Sequence, residues 1–292
     1  MSHSSPERYK EHILRHEFQI LDHRVTLMDR RAVSIGKLNC SDVYMGSLQS
    51  LQAGSPPERV AVKMIRGQSL TDSEIKKFLK ELHTWSKLRN EHILPLRGVT
   101  VELYGTLSII SPWMANGSAR KYVINGSVDP GPLLDDVARG LHYLHTEIPV
   151  FHGDLKGENI IISHDGRALL ADFGYSVLVW SSFSLSISEP TGGTPLWTAP
   201  EKITDYTDST ASDVYSFGML ALELFTRQDP FYPELLGPED IVNGKRPRRP
   251  TPKVTLERLT DDWWKICELC WVDADKRPTM RHIMEFRAGH VS

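Results

Sequence analysis

Asp154 lies in the run His152-Gly153-Asp154-Leu155-Lys156-Gly157-Glu158-Asn159, and Asp172 opens Asp172-Phe173-Gly174. Two carboxylates, the Asn159 amide and the Lys156 ammonium suit a metal-bridged phosphate site. Mg²⁺ takes hard oxygen ligands and leaves coordination positions for phosphate oxygens. Lys63 interrupts the apolar, β-branched run Val60-Ala61-Val62-Lys63-Met64-Ile65, on the strand face it shares with Ala61 and Ile65. A buried ammonium is costly unless an anion meets it. Glu81 falls on the apolar side of a helical pattern, three residues after Phe78 and four before Trp85. Lys63 and Glu81 could each be edge positions with their heads in water. Paired, they would present a cation to a phosphate. Taken singly, such residues are more often turn formers or caps; only the order and spacing of the whole set point to a site.

The elements that must position these residues change character along the chain. The first third is strand-rich, with Val60 to Ile65 and Leu107 to Ile110 as candidate strands. Between them Thr71-Asp72-Ser73-Glu74 forms a capping-box signature, followed by Ile75, Phe78, Leu79, Leu82, Trp85 and Leu88 at helical spacing. Ser111 to Gly117 reads as a connector. Beyond it, Leu133 to His145 carries an apolar helical stripe, and Ile160–Ile162 with Ala168–Leu170 form a hairpin around Asp165-Gly166. Helices are expected from Asp213 to Phe225 and from Asp261 to Trp271. A small strand-rich half and a larger helical half make a bilobal α+β protein.

At about 150 residues per domain, 292 residues make one large domain or two small lobes. The formal net charge of −3 gives no global basic field for nucleic acid. Three cysteines are sparse and odd in number, which suits a reducing compartment. Cys267 and Cys270 form a lone C-x-x-C, read as small core residues one helical turn apart rather than as a zinc site. Residues 1–16 contain no apolar leader and no window of about 18 apolar residues occurs, so a membrane partner is not expected. The sequons at Asn39, Asn116 and Asn125 are then not expected to be glycosylated. The expected location is the cytoplasm, with the basic run Lys245 to Pro250 as an alternative nuclear address or solvated loop. His142 and His145, one turn apart, read as packing or surface residues.

In this order the motifs resemble the protein-kinase family: Val60-Ala61-Val62-Lys63, Glu81, His152 to Lys156 with Asn159, Asp172-Phe173-Gly174, Ala199-Pro200-Glu201, Ser212 to Gly218, and Cys270-Trp271 with Arg277-Pro278. In detail the chain is most similar to the tyrosine-kinase-like group, whose members act mainly on Ser and Thr. The resemblance implies a kinase domain over residues 24–292 after an extension over 1–23. It implies a small antiparallel β-rich N-lobe with one main helix to about 110, a hinge over 111–117 and a larger, mainly helical C-lobe over 118–292.

The resemblance also implies ATP and Mg²⁺ as cofactors, a protein substrate and a monomer. By it, Asp154 is the base orienting the substrate hydroxyl and Lys156 the cation on the γ-phosphate. Asn159 and Asp172 hold Mg²⁺, and Lys63 holds the α- and β-phosphates while Glu81 fixes Lys63. Ile35, Gly36, Val43 and Ala61 enclose the nucleotide, Met114 lies in the hinge, and Ser111 is the gatekeeper. Asp213 braces the catalytic loop, and Glu201 pairs with Arg277. Lys156 and Thr194 favour Ser/Thr over Tyr.

Three departures stand out. Leu38 and Ser41 replace the second and third glycines of the phosphate loop, which weakens its backbone cradle. Gly153 replaces the Arg of the family's His-Arg-Asp, and Phe231 to Gly244 is short. A catalytically competent kinase is the first reading; a pseudokinase that binds nucleotide or scaffolds partners is the alternative.

Overall fold

The computed structural model describes residues 18–29, 34–35, 41–65, 79, 82–173, 177–178, 195–206, 208–234 and 236–289. The chain forms two compact units: Met1–Arg89 with Leu94–Met114, and Asn90–Ile93 with Ala115–Ser292.

The first unit is built on a six-stranded antiparallel sheet. Its strands are β1 (Val25–Leu27), β2 (Ser34–Ile35), β3 (Ser41–Leu48), β4 (Glu58–Ile65), β5 (Gly98–Thr100) and β6 (Ser108–Pro112). They lie in the order β1-β3-β4-β6-β5, with β2 added to β3. Alternation along β4 sends Val60, Val62 and Met64 into a core with Leu21, Val25, Leu48 and Ile110. The opposite face carries Val43, Ala61, Lys63, Ile109 and Ser111, since Val43 pairs with Lys63, Lys63 with Ile109 and Ala61 with Ser111. Ser111, expected in the connector, is therefore a buried strand residue. Its ladder partner on β4 keeps it in the sheet.

Residues 82–87 are helical, with Leu82 and Trp85 buried and Trp85 Nε1 donating to the Leu94 carbonyl at 2.5 Å. The capped start expected at Thr71 to Glu74 lies outside the described residues. So do Glu81, Gly36, Leu38, Thr194 and the alternating run Ser182 to Ser188.

Residues 18–22, ahead of the boundary expected at residue 24, are stitched to β5. The Leu21 N–H donates to the Val99 carbonyl at 2.7 Å and the Val99 N–H to the Gln19 carbonyl at 2.9 Å. The Asp22 carboxylate accepts from Thr100 Oγ1 at 3.0 Å and from the Val101 N–H at 3.2 Å. Leu21 itself lies in the core. A Cβ on Gly98 would sit 2.3 Å from the Gln19 carbonyl oxygen, so this approach needs a glycine there.

The second unit contains α1 (Ala119–Val123), α2 (Pro130–Thr146), β7 (Val150–Phe151), β8 (Ile160–Ile162), β9 (Ala168–Leu170) and β10 (Val177–Leu178). It continues with α3 (Pro200–Asp205), α4 (Thr210–Thr226), α5 (Pro238–Val242), α6 (Asp261–Cys270) and α7 (Met280–Arg287). Helix α4 is buried almost throughout and serves as the core post. Caps set the helix starts. Asp129 accepts from the Gly131 N–H at 3.0 Å ahead of Pro130, which starts α2 three residues before the apolar stripe. A reciprocal Ser209–Ser212 box starts α4 at Thr210. Cys267 and Cys270 are buried in α6, as their spacing suggests. The short stretch after Phe231 leaves only the five-residue α5.

Candidate active site

In the second unit the hairpin β8/β9 supplies the frame. Its register pairs Ile160 with Leu170, and the Ala171 N–H donates to the Asn159 carbonyl at 3.0 Å. That bond sets Asn159 and Asp172 at the same end of one rigid element. Asp172 has a left-handed backbone (φ 62°), a conformation that Asp adopts more readily than most residues. On the incoming side, the Asn159 amide donates to Asp154 Oδ2 at 2.9 Å and to the Asp154 carbonyl at 2.7 Å. Lys156 Nζ lies 3.0 Å from the same Oδ2. The Asp154 carboxylate is thus oriented by two donors on one oxygen, and Asp154 is buried.

The loop that carries Asp154 is held from below by α4. Asp213 accepts the His152 N–H at 2.8 Å on Oδ2 and the Gly153 N–H at 3.0 Å on Oδ1. His145 Nε2 lies 2.8 Å from Oδ2. Burial pushes the Asp213 carboxyl up, but the hydrogen bond and charge of His145 and the Gly153 N–H are among the interactions that outweigh it and hold the group below its ordinary value. His152 ties the loop to the hairpin. Its Nε2 lies 3.0 Å from the Ala171 carbonyl, and its Nδ1 accepts from the Asp154 N–H at 3.4 Å. One ring nitrogen donating and the other accepting is the neutral imidazole, and burial depresses the His152 pKa in the same sense.

A second buried carboxylate, Glu223 of α4, holds the far end of the loop. It accepts the Gly157 N–H and Trp197 Nε1, each at 2.8 Å on Oε2, and pairs with Arg120 Nη1 at 2.9 Å on Oε1. Burial raises its pKa, and these donors offset part of the rise. Glu201 meets Arg277, whose Nη2 lies 3.0 Å from Oε2. Lys202 Nζ donates to the Gly153 carbonyl at 2.5 Å and pairs with Asp208 Oδ1 at 2.5 Å.

In the first unit the sheet face opposite the core gathers Val43, Ala61 and the half-buried Lys63 with Ser111. Ile35 pairs with Asp42 at the β2/β3 hairpin. Met114 follows Trp113, whose N–H donates to the Arg59 carbonyl at 3.0 Å. Gly36 and Glu81 lie outside the described residues, so the expected Lys63–Glu81 pair has no described geometry.

The residues fit the cofactors that the sequence implies. The Asn159 Nδ2 is turned to Asp154, which leaves the amide oxygen as the donor for a hard cation, and Asp172 adds a carboxylate. Among the described residues no group of three or more His, Cys, Asp or Glu is poised for a metal. Two protein oxygens suit Mg²⁺, which is commonly bound by one or two carboxylates together with substrate phosphates and water.

Sequence reasoning missed His145, Glu223, Arg120 and Lys202. His145, read as a packing or surface residue, is instead a buried partner of Asp213. Only the α2–α4 packing brings them together across 68 positions, and no local spacing signals it.

The profile of the protein tyrosine and serine/threonine kinase family matches residues 30–286. Among curated proteins the chain is 30% identical over 265 residues to the probable serine/threonine-protein kinase drkB of Dictyostelium discoideum, covering 87% of this chain and 36% of that one. It is 31% identical over 255 residues to the dual specificity protein kinase shkC of the same organism, covering 85% and 47%. With the serine/threonine-protein kinase CTR1 of Arabidopsis thaliana it shares 32% over 243 residues, covering 77% and 28%. The matched region spans from about a quarter to a half of the length of these relatives.

Proposed function

The chain belongs to the protein tyrosine and serine/threonine kinase family, and on that premise we propose that it transfers the γ-phosphate of ATP, with Mg²⁺, to Ser and Thr hydroxyls of protein substrates. The observation that carries this reading is the clamped Asp154 carboxylate. Asn159 and Lys156 both meet its Oδ2, so the group is oriented before substrate arrives. In the reaction Asp154 accepts a hydrogen bond from the substrate hydroxyl and takes its proton as the oxygen attacks the γ-phosphorus and the bond from that phosphorus to the ADP leaving group breaks. Lys156, beside it, meets the negative charge of the transferred group. Asn159 and Asp172 would hold Mg²⁺, which would supply neutralisation of phosphate charge. On the sheet face of the first unit Lys63 binds phosphate, with Val43, Ala61 and Met114 around the adenine.

Ser/Thr selectivity is supported by Lys156 and by the serine/threonine kinases drkB and CTR1 among the relatives, while the relative shkC is a dual specificity kinase. A second reading, a nucleotide-binding or scaffolding pseudokinase, is favoured by Leu38 and Ser41 in the phosphate loop. Transfer of ³²P from ATP to casein, and to the chain itself, decides between them. The native chain should label, chelation should stop it, and Asp172→Asn and Asp154→Asn should each abolish most turnover. Asp154→Asn should bind ATP nearly as well as the native chain, because a base acts in the transition state. Labelling that survives in Asp154→Asn would refute the assignment.

A further inference from the structure

We propose that Lys202, with Asp208 as its counter-ion, is a positioning residue for the catalytic loop and acts through the carbonyl of Gly153. The proposal rests on the reading of Asp154 as the base. Lys202 lies in the first turn of α3, directly after Ala199-Pro200-Glu201. Its side chain is 4% exposed and that of Asp208 is 5% exposed. A lysine is almost never fully buried unless it is paired, and here the ammonium meets a carboxylate and one backbone carbonyl. That carbonyl belongs to the residue immediately before Asp154.

Gly153 is therefore held at both of its peptide groups. Its N–H is bound by Asp213 of α4 and its C=O by Lys202 of α3, at 3.0 and 2.5 Å. Its backbone has φ 81°, a left-handed conformation open to glycine with little strain. Glycine alone would leave this joint loose, since it contributes no side chain to packing. Two charge-assisted bonds from separate helices remove that freedom. Asp213 reaches only the peptide before Gly153; the next peptide plane, which leads into Asp154, is tied on its N–H side by the long 3.4 Å bond to His152 Nδ1, and its C=O side is left to Lys202. Lys202 fixes it. Because Lys202 is enclosed and already neutralised by Asp208, it belongs to the resting fold rather than to a group awaiting an anion from elsewhere.

The test compares the native chain with Lys202→Met/Asp208→Asn, which removes the donor without stranding a buried charge. Hydrogen–deuterium exchange of residues 152–155 should accelerate at least tenfold, and kcat for ³²P transfer from ATP to casein should fall at least tenfold. KM for ATP should change less than twofold. A purely structural pair would lower the melting temperature and leave both loop exchange and kcat within threefold of native, which would overturn the proposal. If that double variant does not fold, Lys202→Arg decides, because it keeps charge and donors. Loop exchange within threefold of native supports the brace; a tenfold acceleration at an unchanged melting temperature overturns it. A native chain that labels nothing would refute the reading of Asp154, while exchange would still decide the role of Lys202.

Discussion

Replacing Asp213 by Asn changes one oxygen to an NH₂ group and leaves shape almost untouched. The carboxylate now takes three donors: the His152 N–H and His145 Nε2 on Oδ2, and the Gly153 N–H on Oδ1. An amide offers only one oxygen. If that oxygen takes the Oδ2 place, His152 and His145 keep their acceptor and the Gly153 N–H faces another donor. If it takes the Oδ1 place, two bonds are lost instead of one. The first arrangement is preferred, and it strands one backbone N–H at a cost of about 1–3 kcal/mol. The bond also loses its charge assistance, which adds to the cost. Urea denaturation should therefore show Asp213→Asn less stable by about 1–3 kcal/mol, read from the midpoint at an unchanged slope. The stranded group lies one residue from Asp154, so kcat should fall by about 5- to 150-fold, the same energy expressed as a ratio at roughly 1.4 kcal/mol per decade. KM for ATP should move less than about twofold, because uniform binding is not what this bond supplies. A midpoint within about 0.3 kcal/mol of native, or a kcat within about twofold, would refute the claim that Asp213 positions the loop.

Gly157→Ala should destabilise the second unit by about 1–3 kcal/mol, because the new Cβ would lie 2.8 Å from Glu223 Oε1 and 3.1 Å from the Arg120 Cβ; a thermal melt equal to native would contradict this packing. Acid should weaken the fold in a defined window. His152 and His92 both have pKa values depressed chiefly by burial, so the unfolded chain binds protons that the folded chain refuses once pH drops below the ordinary value of 6.5. Their contribution is present above 6.5 and is lost as pH falls towards the lower folded values. Melting temperature should decline from pH 7 to pH 5, and a flat profile would count against buried neutral imidazoles. The carboxyl of Asp213, also depressed, should keep its full contribution above 3.8 and lose it as pH falls further, through the lower folded value. Activity should not need phosphate on the segment after Asp172, since Gly153 offers no cation and residues 172–201 contain no Lys or Arg. Alanine at Ser176, Ser181, Ser182, Ser184, Ser186, Ser188 and Thr191 should change initial rates less than about threefold, or roughly 0.7 kcal/mol; a hundredfold loss restored by rephosphorylation would overturn it.

The strand and hairpin elements were legible because alternation and turn chemistry are local signals. Val60 to Ile65 shows period two, and Asp165-Gly166 marks a turn whose Gly166 has φ 83°. The loop around Asp154 was legible only as an ordered set, since Asp154, Asn159 and Asp172 are unremarkable individually and are brought to one end of the hairpin between them. What the sequence hides are contacts made by packing. Glu223 lies 66 positions from Gly157, and Lys202 lies 49 from Gly153. Both are polar residues in helices, where a surface position is the default expectation. The helix starts were misplaced by a few residues for a similar reason: Asp129 and Ser209 cap ahead of the apolar pattern, and periodicity does not see them.

The short strip of chain at Gln19 to Asp22 bears on where the protein can be cut. The strand β5 lies last in its sheet, and its outer row of N–H and C=O groups is occupied by that strip. A recombinant fragment begun at residue 24, the domain boundary expected from the sequence, would remove Leu21 from the core and uncover the edge at Val99. An uncovered edge strand is a template for pairing with another copy, so such a fragment should self-associate and precipitate on concentration. A fragment begun at Phe18 keeps the edge covered and should stay monodisperse at the same concentration. Light scattering on the two fragments would show whether residues 18–23 decide solubility.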